Sequence, residues 1–227
     1  VRLSIIIPVL DEADGIERHL VALATLRARG HEVIVVDGGS SDATVALSRP
    51  LADRVLYSRR GRALQMNTGA AAASGDVLLF LHADTALPEM ADELIAEGLR
   101  DGQVWGRFDV RIAGRHPLLA IVARTMSMRS RWTGIATGDQ AIFVRREAFE
   151  RAGGFPKIAL MEDIALSAAL RRTSPPICLR RCVVTSGRRW EKHGVMATIL
   201  HMWRIRLAYF FGADPDRLAR TYRPHES

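Results

Sequence analysis

Short apolar runs with no period-2 alternation recur along the first third of the chain. Val77-Leu78-Leu79-Phe80-Leu81 is the clearest, and residues 3–9 (LSIIIPV) and 32–36 (EVIVV) repeat the pattern. Such runs suit strands buried on both faces, as in the middle of a parallel sheet. Between them apolar residues fall at helical spacing: Ile16, Leu20 and Leu23 share a face, and Gly30 stands where a helix C-cap belongs. Ser41 or Asp42 is placed to cap a short helix from residue 43, residues 55–57 form a third short strand, and an Ala-rich helix covers 62–73. Strands alternating with helices at this spacing predict βαβ units, hence an α/β fold with a mostly parallel, Rossmann-like sheet flanked by helices.

Beyond Asp84 the pattern loosens. Pro88 opens a helix to residue 99, 104–112 reads as a strand with alternating exposure, and 118–128 reads as a helix. A Gly-rich stretch leads to 137–144, a helical turn over 147–152 ends at Gly153-Gly154-Phe155-Pro156, and a helix follows over 162–172. A strand over 177–184 and a long helix over 194–211 complete the pattern. On that helix Met196, Ile199, Leu200, Trp203, Leu207, Phe210 and Phe211 share one face, which predicts packing on the core. Met202, Ile205 and Tyr209 occupy much of the opposite face, so a second setting has one side on lipid, with Arg204 and Arg206 at the headgroups. No internal repeat, linker or low-complexity tract interrupts the chain. Residues 1–190 read as one domain, with 191–227 a C-terminal helical appendage packed on it.

At 227 residues and 48% hydrophobic the chain can bury a full core. The formal charge is +7, and arginine carries nearly all of it, since Lys157 and Lys192 are the only lysines. Basicity of this kind suits phosphate-bearing substrates or an anionic membrane surface as well as nucleic acid, and no nucleic-acid-binding signature accompanies it. Cys178 and Cys182 fall in a predicted strand, where they would lie roughly 13 Å apart, beyond disulfide reach. They lack zinc-ligand spacing too, so a reducing cytoplasm fits. The chain starts directly in a strand, with no signal peptide or long apolar span, which predicts a cytoplasmic protein, set at the inner face of the membrane if the last helix rests on lipid.

The chemistry gathers where strands end. Glu12, Asp37 and Asp84 follow predicted parallel strands, and Glu162-Asp163 opens a helix after the 153–156 loop. Ligands of open α/β sheets bind outside the carboxyl ends of the strands. A carboxylate there can hold a divalent cation, and the cation a diphosphate. Arg62, at a helix N-terminus, is placed to assist at phosphates.

These segments resemble family 2 glycosyltransferases of the GT-A fold, from Ser4 to about Trp190. Ile5-Ile6-Ile7-Pro8-Val9-Leu10-Asp11-Glu12 resembles the family's opening strand, and Asp37-Gly38-Gly39-Ser40-Ser41-Asp42 the segment whose first Asp contacts the base. Asn67-Thr68-Gly69 resembles its Asn-x-Gly helix, His82-Ala83-Asp84 stands where Asp-x-Asp is usual, and Glu162-Asp163 matches the acidic pair that carries the catalytic base. Gly61-Arg62-Ala63, Gln65-Met66-Asn67 and Ser186 to Trp190 resemble a bacterial subgroup of transferases associated with radical-SAM and selenodomain proteins.

The resemblance implies a nucleoside-diphosphate sugar donor, UDP- or GDP-linked, and an unidentified acceptor hydroxyl, a lipid-linked one among the options. It implies an inverting hexosyl or related glycosyl transfer assisted by Mn2+ or Mg2+. Donor contacts would fall to Pro8, Leu10, Glu12, Asp37, Arg62, Asn67, His82, Ala83 and Asp84, and the metal to Asp84 with His82. Asp163 would be the base, with Glu162 raising its basicity. Gly138, Asp139 and Gln140 would line the acceptor side with Arg189 and Trp190, which resemble the end of a Gln-x-x-Arg-Trp motif whose Gln is replaced by Ser186. The neutral imidazole of His82 cannot supply the first charge of the usual motif, which leaves Asp84 as principal metal ligand. A nucleotidyltransferase would want a Gly-rich, Arg-bearing loop after the first strand, and a dinucleotide oxidoreductase would want G-x-G-x-x-G there; residues 8–15 hold neither. A non-catalytic nucleotide-sugar binding module remains the rival reading.

Overall fold

The computed structural model describes residues 1–222. Its strands are β1 (Leu3–Val9), β2 (Glu32–Asp37), β3 (Arg54–Tyr57), β4 (Val77–Phe80), β5 (Thr85–Ala86), β6 (Trp105–Ile112), β7 (Phe143–Arg145) and β8 (Ile177–Thr185). Its helices are α1 (Ala13–Ala22), α2 (Ala24–Ala28), α3 (Thr44–Ser48), α4 (Arg62–Ala72), α5 (Ala91–Gly98), α6 (Leu118–Thr133), α7 (Arg146–Arg151), α8 (Glu162–Leu170), α9 (Arg188–His193), α10 (Val195–Phe210) and α11 (Pro215–Tyr222), with a 3-10 turn at Gly138–Gln140. One sheet runs in the order β3-β2-β1-β4-β7-β6-β8-β5.

The first four strands of that order are parallel, as the apolar runs require. Because successive side chains point to opposite faces, these strands feed two cores. Ile5, Ile7, Val33, Val35 and Leu79 face a layer with Ile16 and Leu20 of α1 and Ile95 of α5. Ile6, Ile34, Val36, Leu78 and Phe80 face the other layer, with Met66 and Ala70 of α4 and Leu166 of α8. Each such side chain fully removed from water contributes about 1.5–3 kcal/mol. The second half of the sheet is mixed: β7 runs antiparallel to β4 and β6, β6 and β8 are parallel, and β5 pairs antiparallel with the end of β8.

Several sequence expectations move. The helix expected from Ile16 to Gly30 is broken at Leu23 into α1 and α2. Asp42 takes the capping role at α3, accepting the Thr44 N–H at 2.9 Å. The helix expected from Pro88 begins only at Ala91. β6 is buried at most positions: Phe108, Val110 and Ile112 join the first core, Trp105 joins the second, and Arg107 is covered by Ser127 and Ser130 of α6. Two-residue β5 and helices α9 and α11 lie below the length at which periodicity is visible, and residues 223–227 of the expected appendage lie outside the described residues. Both cysteines are free.

The largest reversal concerns α10. The face carrying Met196, Leu200, Trp203, Leu207 and Phe210, with Phe211 just beyond, is exposed, reaching 72% at Trp203 and 82% at Phe210. Ile205 turns inward instead, in a small cluster of Met161, Leu160, Ile164, Met202, Tyr209 and Leu218. Val195 and Ile199 join the main core. No helix among the described residues is long and apolar enough to cross a membrane.

Gly69 shows how closely α4 approaches the sheet. A Cβ there would lie 2.4 Å from Ile6 Cγ2 and 3.1 Å from Val36 Cγ2. Gly69→Ala is expected to lose about 1–3 kcal/mol in urea denaturation through overpacking. An unchanged midpoint would mean that α4 can lift without cost.

Candidate active site

The charged residues of the sequence motifs meet at the carboxyl ends of β1, β2 and β4. The chain leaves β4 through His82, Ala83 and Asp84 and enters β5, where Thr85 Oγ1 and Thr185 Oγ1 bond at 3.0 Å. The Ser186 N–H donates to the Asp84 carbonyl at 3.2 Å. This pairing brings α9 to the rim, where Arg188 Nη2 lies 3.5 Å from Glu12 Oε2. Glu12 has its pKa raised, by burial first, then lowered by Arg188 and raised again by the Asp84 charge. Asp84 itself is exposed and reaches outward from the rim.

Arg62 begins α4 after Gly61, whose φ of 142° lets the chain turn into the helix. Its charge lowers the pKa of Glu12, Asp139 and Glu162, so it stands among three carboxylates. One turn on, buried Gln65 donates from Nε2 to the carbonyls of Val9 and Val36, both at 2.8 Å, holding the ends of β1 and β2 at a fixed separation. Sequence reasoning gave Gln65 no role. Its one signal was an amide on the buried face of an Ala-rich helix.

Asp37 is buried and turned into its own loop, accepting from the Gly39 N–H at 2.9 Å, the Ser40 N–H at 3.1 Å and the Ser40 hydroxyl at 2.5 Å. Pro8 and Leu10 are half-buried at the end of β1, and Ala83 is buried. Asn67 spends its whole amide on Phe155, donating to the carbonyl at 2.8 Å and accepting the N–H at 2.9 Å. In this structure it positions the 153–156 loop, and through it α8, rather than lining the rim.

That loop delivers the acidic pair. Met161 is held at φ 70° and Ala141 at φ 48°, two non-glycine residues in the left-handed region on either side of the cluster. Glu162 is buried, and burial followed by the Asp163 charge raises its pKa to about 7. Asp163 is half-buried and accepts the Gly138 N–H at 2.8 Å through Oδ2 and the Ile164 N–H at 2.7 Å through Oδ1. His82 Nδ1 lies 3.3 Å from Asp139 Oδ1. Desolvation by the protein packed around it pushes the partly exposed Asp139 up, but the hydrogen bond and charge of His82, with Arg62 and Arg206, hold it below the ordinary carboxylate range. A Cβ on Gly138 would come within 2.5 Å of His82 Nε2, so only glycine admits the ring at this approach. Arg62, Phe80, His82, Gly138, Glu162 and Asp163 line one small cleft.

The acceptor-side residues divide. Asp139 is half-exposed beside the cleft, while Gln140 is buried, its Oε1 accepting the Thr137 N–H at 3.2 Å. Trp190 packs against the main core and Arg189 is half-buried, so Arg188 is the α9 arginine that reaches the rim. Three consecutive large residues gave no sequence signal for choosing among them.

Among the described residues no three His, Cys, Asp or Glu side chains gather into a metal cage. A hard cation bound through one or two carboxylates and a substrate's phosphates needs no such cage. Exposed Asp84 with Glu12 in electrostatic range fits that arrangement. His82, engaged by Asp139 and pressed on Gly138, is less suited to it.

Residues 4–153 match glycosyl transferase family 2. Over 242 residues the chain is 28% identical to an uncharacterised glycosyltransferase of Mycobacterium tuberculosis, covering 96% of this chain and 88% of that one. The mannosyltransferase PcManGT from Pyrobaculum calidifontis, solved in complex with GDP-Man and Mn2+, is similar at a TM-score of 0.63 and 26% identity. That match covers 91% of this chain and 61% of the mannosyltransferase, so this chain spans about three fifths of its length. Glucosyl-3-phosphoglycerate synthase from Mycobacterium tuberculosis, in complex with Mn2+, UDP and glucosyl-3-phosphoglycerate, shares the fold at a TM-score of 0.62 and 19% identity, over 93% of this chain and 80% of that one. Together with the parallel half-sheet and the acidic rim, these matches show that the chain has the GT-A fold and belongs to glycosyl transferase family 2.

Proposed function

We propose that this protein transfers a hexosyl or related sugar from a UDP- or GDP-linked donor to an acceptor hydroxyl with inversion at the anomeric carbon. The observation that carries this reading is the charge along the strand-end rim: Asp84 and Glu12 lie in electrostatic range of each other, and Arg62 acts on Glu12 and also lines the cleft that holds Glu162 and Asp163, with Asp139 beside His82. The subgroup pattern around Arg62 and Arg188-Arg189-Trp190 supports kinship with the radical-SAM and selenodomain-associated transferases.

Asp84 would be the carboxylate that holds a divalent cation, Mn2+ or Mg2+, at the donor diphosphate. When bound there, such a cation would supply Lewis-acid stabilisation of the departing diphosphate. Arg62 adds charge from a helix N-terminus. The base comes from the acidic pair, Glu162 and Asp163. Glu162 is buried towards Arg62 and His82, while Asp163 is half-buried against Gly138 on the acceptor side. Asp163 therefore takes the hydroxyl proton as the acceptor oxygen bonds to the anomeric carbon and the bond to the diphosphate breaks. Asp139, fixed by His82, orients the acceptor.

UDP or GDP should stabilise the protein in thermal shift more with Mn2+ than with EDTA, and Asp84→Asn should erase the difference. Equal stabilisation with and without metal would remove the cation from the mechanism. Asp163→Asn should leave nucleotide affinity unchanged and lower transfer by about 10²–10⁴-fold. Glu162→Gln should cost less, and wild-type transfer by Asp163→Asn would place the base elsewhere.

The pair also sets a pH dependence. Unfolded Glu ionises near 4.5, whereas folded Glu162 keeps its proton to about 7. Stability therefore falls as pH rises through that window. Glu162→Gln should raise stability at pH 8 by roughly 1–3 kcal/mol, with the gain vanishing near pH 4. Denaturation curves at the two pH values check this; a gain independent of pH would assign it to packing.

The exposed face of α10 is read as a contact with an anionic lipid surface. Its apolar stripe carries no charge, exposed Arg204 stands beside it, and α10 contains no Asp or Glu to pair with a second copy's arginines. Vesicles with phosphatidylglycerol should co-sediment the protein at low salt, phosphatidylcholine vesicles should not, and Trp203→Glu should abolish binding. A concentration-dependent dimer without lipid binding would assign the face to a second copy.

A further inference from the structure

Arg107 and Arg146 are fully engaged in structural contacts. Arg107 donates to Ser130 Oγ at 3.1 Å and the Ser127 carbonyl at 2.9 Å, and pairs with Asp109. Arg146 donates to the Gly75 carbonyl from Nε at 3.0 Å and from Nη2 at 2.5 Å, and to the Ala73 carbonyl at 2.5 Å. Arg129 of α6 and Arg206 of α10 behave differently. Arg129 Nε and Nη2 and Arg206 Nε are buried with no hydrogen-bond partner among the described residues, and Arg129 Nη1 makes only a long 3.5 Å contact to the Ile135 carbonyl. Burial first, and then the charge of Arg206, lowers the Arg129 pKa to about 10, with Asp163 opposing. Two guanidinium groups thus crowd one place beside Asp163, and Arg206 also acts on Asp139.

Desolvating a cation without partners costs several kcal/mol, and bringing up a second like charge adds to it. The two carboxylates within range are already engaged: Asp163 accepts two backbone N–H groups, and Asp139 pairs with His82. A tetrahedral dianion would answer both forks at once, because guanidinium matches phosphate oxygens in bidentate fashion. Arg62 acts on Glu12 and Glu162 and shares Asp139 with Arg206, so Asp139 lies between the two groups of cations. We infer that Arg129 and Arg206 form a phosphate-binding subsite on the acceptor side, so that the acceptor presents its hydroxyl to Asp163 while a phosphate monoester or diester of the same molecule is held by the two arginines. The inference rests on the transfer reading only in taking Asp163 as the acceptor-side base. One phosphate chemistry has two sources here, a soluble phosphate ester or a lipid phosphate, and Arg206 lies on the helix whose outer face is apolar.

The test is calorimetric titration of inorganic phosphate into protein already saturated with UDP or GDP and Mg2+, so that the donor side is filled. Wild type should bind phosphate, and Arg129→Gln and Arg206→Gln should each weaken it by about tenfold or more with nucleotide affinity unchanged. Arg124→Gln, an exposed charge loss on the same helix, should leave it unchanged. Arg129→Met should also raise the thermal midpoint, which a purely structural arginine would lower. Phosphate binding that disappears once nucleotide is bound, persists in both arginine variants, or falls equally in Arg124→Gln would overturn the subsite. If no nucleotide binds wild type, the donor reading fails on its own, and the same phosphate titration of nucleotide-free protein still judges the arginines. Glycerol 3-phosphate and farnesyl phosphate, titrated in parallel, separate the sources. Tighter binding of the prenyl ester indicates a lipid phosphate and equal binding a soluble one, and both uphold the site.

Discussion

The structure depends on one crossing, where the chain leaves β4 and pairs again as β5. Up to Phe80 it belongs to the parallel half-sheet, with the Phe80 N–H donating to the Ile142 carbonyl and the Leu81 N–H to the Ile6 carbonyl. Four residues on, Thr85 is bonded to Thr185 at the end of β8. His82, Ala83 and Asp84 therefore bridge two halves of the sheet that are built on different principles, one parallel and buried on both faces, the other mixed. Asp84 is exposed because neither half can cover the bridge. His82 is inward because the turn at Gly138–Gln140, from the second half, comes up beneath it. Any change that lengthened the crossing would separate Asp84 from Glu12, and His82 from Asp139, together.

Electrostatics in the cleft follow from that geometry. Three carboxylates surround Arg62, and a fourth, Asp163, is anchored on backbone N–H groups, so acidic charge exceeds the basic charge near the β1 and β4 ends. Burying Glu162 beside Asp163 is unfavourable for the fold, and the chain answers it with a proton held to about pH 7 instead of with a salt bridge. A carboxyl pair poised there can take up a proton in catalysis, whereas a salt-bridged pair could not. The left-handed residues Ala141 and Met161 beside the cluster carry strain of the kind that persists only where the surroundings over-determine it.

Most of the parallel half-sheet was legible, because strands buried on both faces leave unbroken apolar runs in sequence. β1 matches its expected bounds, and β2 and β4 differ by a single residue at one end. The rim acids were legible as well, since strand ends are where polarity switches abruptly. What the sequence hid were contacts made across long separations: Asn67 on Phe155, Gln65 on Val9 and Val36, Arg188 on Glu12. Asp37 and Gln140 were read as ligand-facing from motif position alone, yet each is tied into its own turn by backbone donors that no spacing rule counts.

Helix α10 shows where periodicity itself misleads. A helical wheel ranks faces by apolar content and assigns the richer one to the core, which here means Met196, Leu200, Trp203, Leu207 and Phe210. The protein instead buries the poorer face, because the surface α10 meets is narrow: Met161 and Ile164 at the start of α8, with Leu218 of α11 alongside. Ile205 fills that contact, and Arg206 beside it is attracted by Asp139 despite the like charge of Arg129, an orientation that leaves Trp203 and Phe210 outward. Leaving five large apolar side chains in water forgoes about 1.5–3 kcal/mol each relative to burial. A helix free to rotate would recover that by turning inward, so the contact through Ile205 and the placement of Arg206 must outweigh it, or the stripe must be covered when the protein works. The same rotation serves both ends, since the turn that exposes the stripe is the one that sends Arg206 to the cleft.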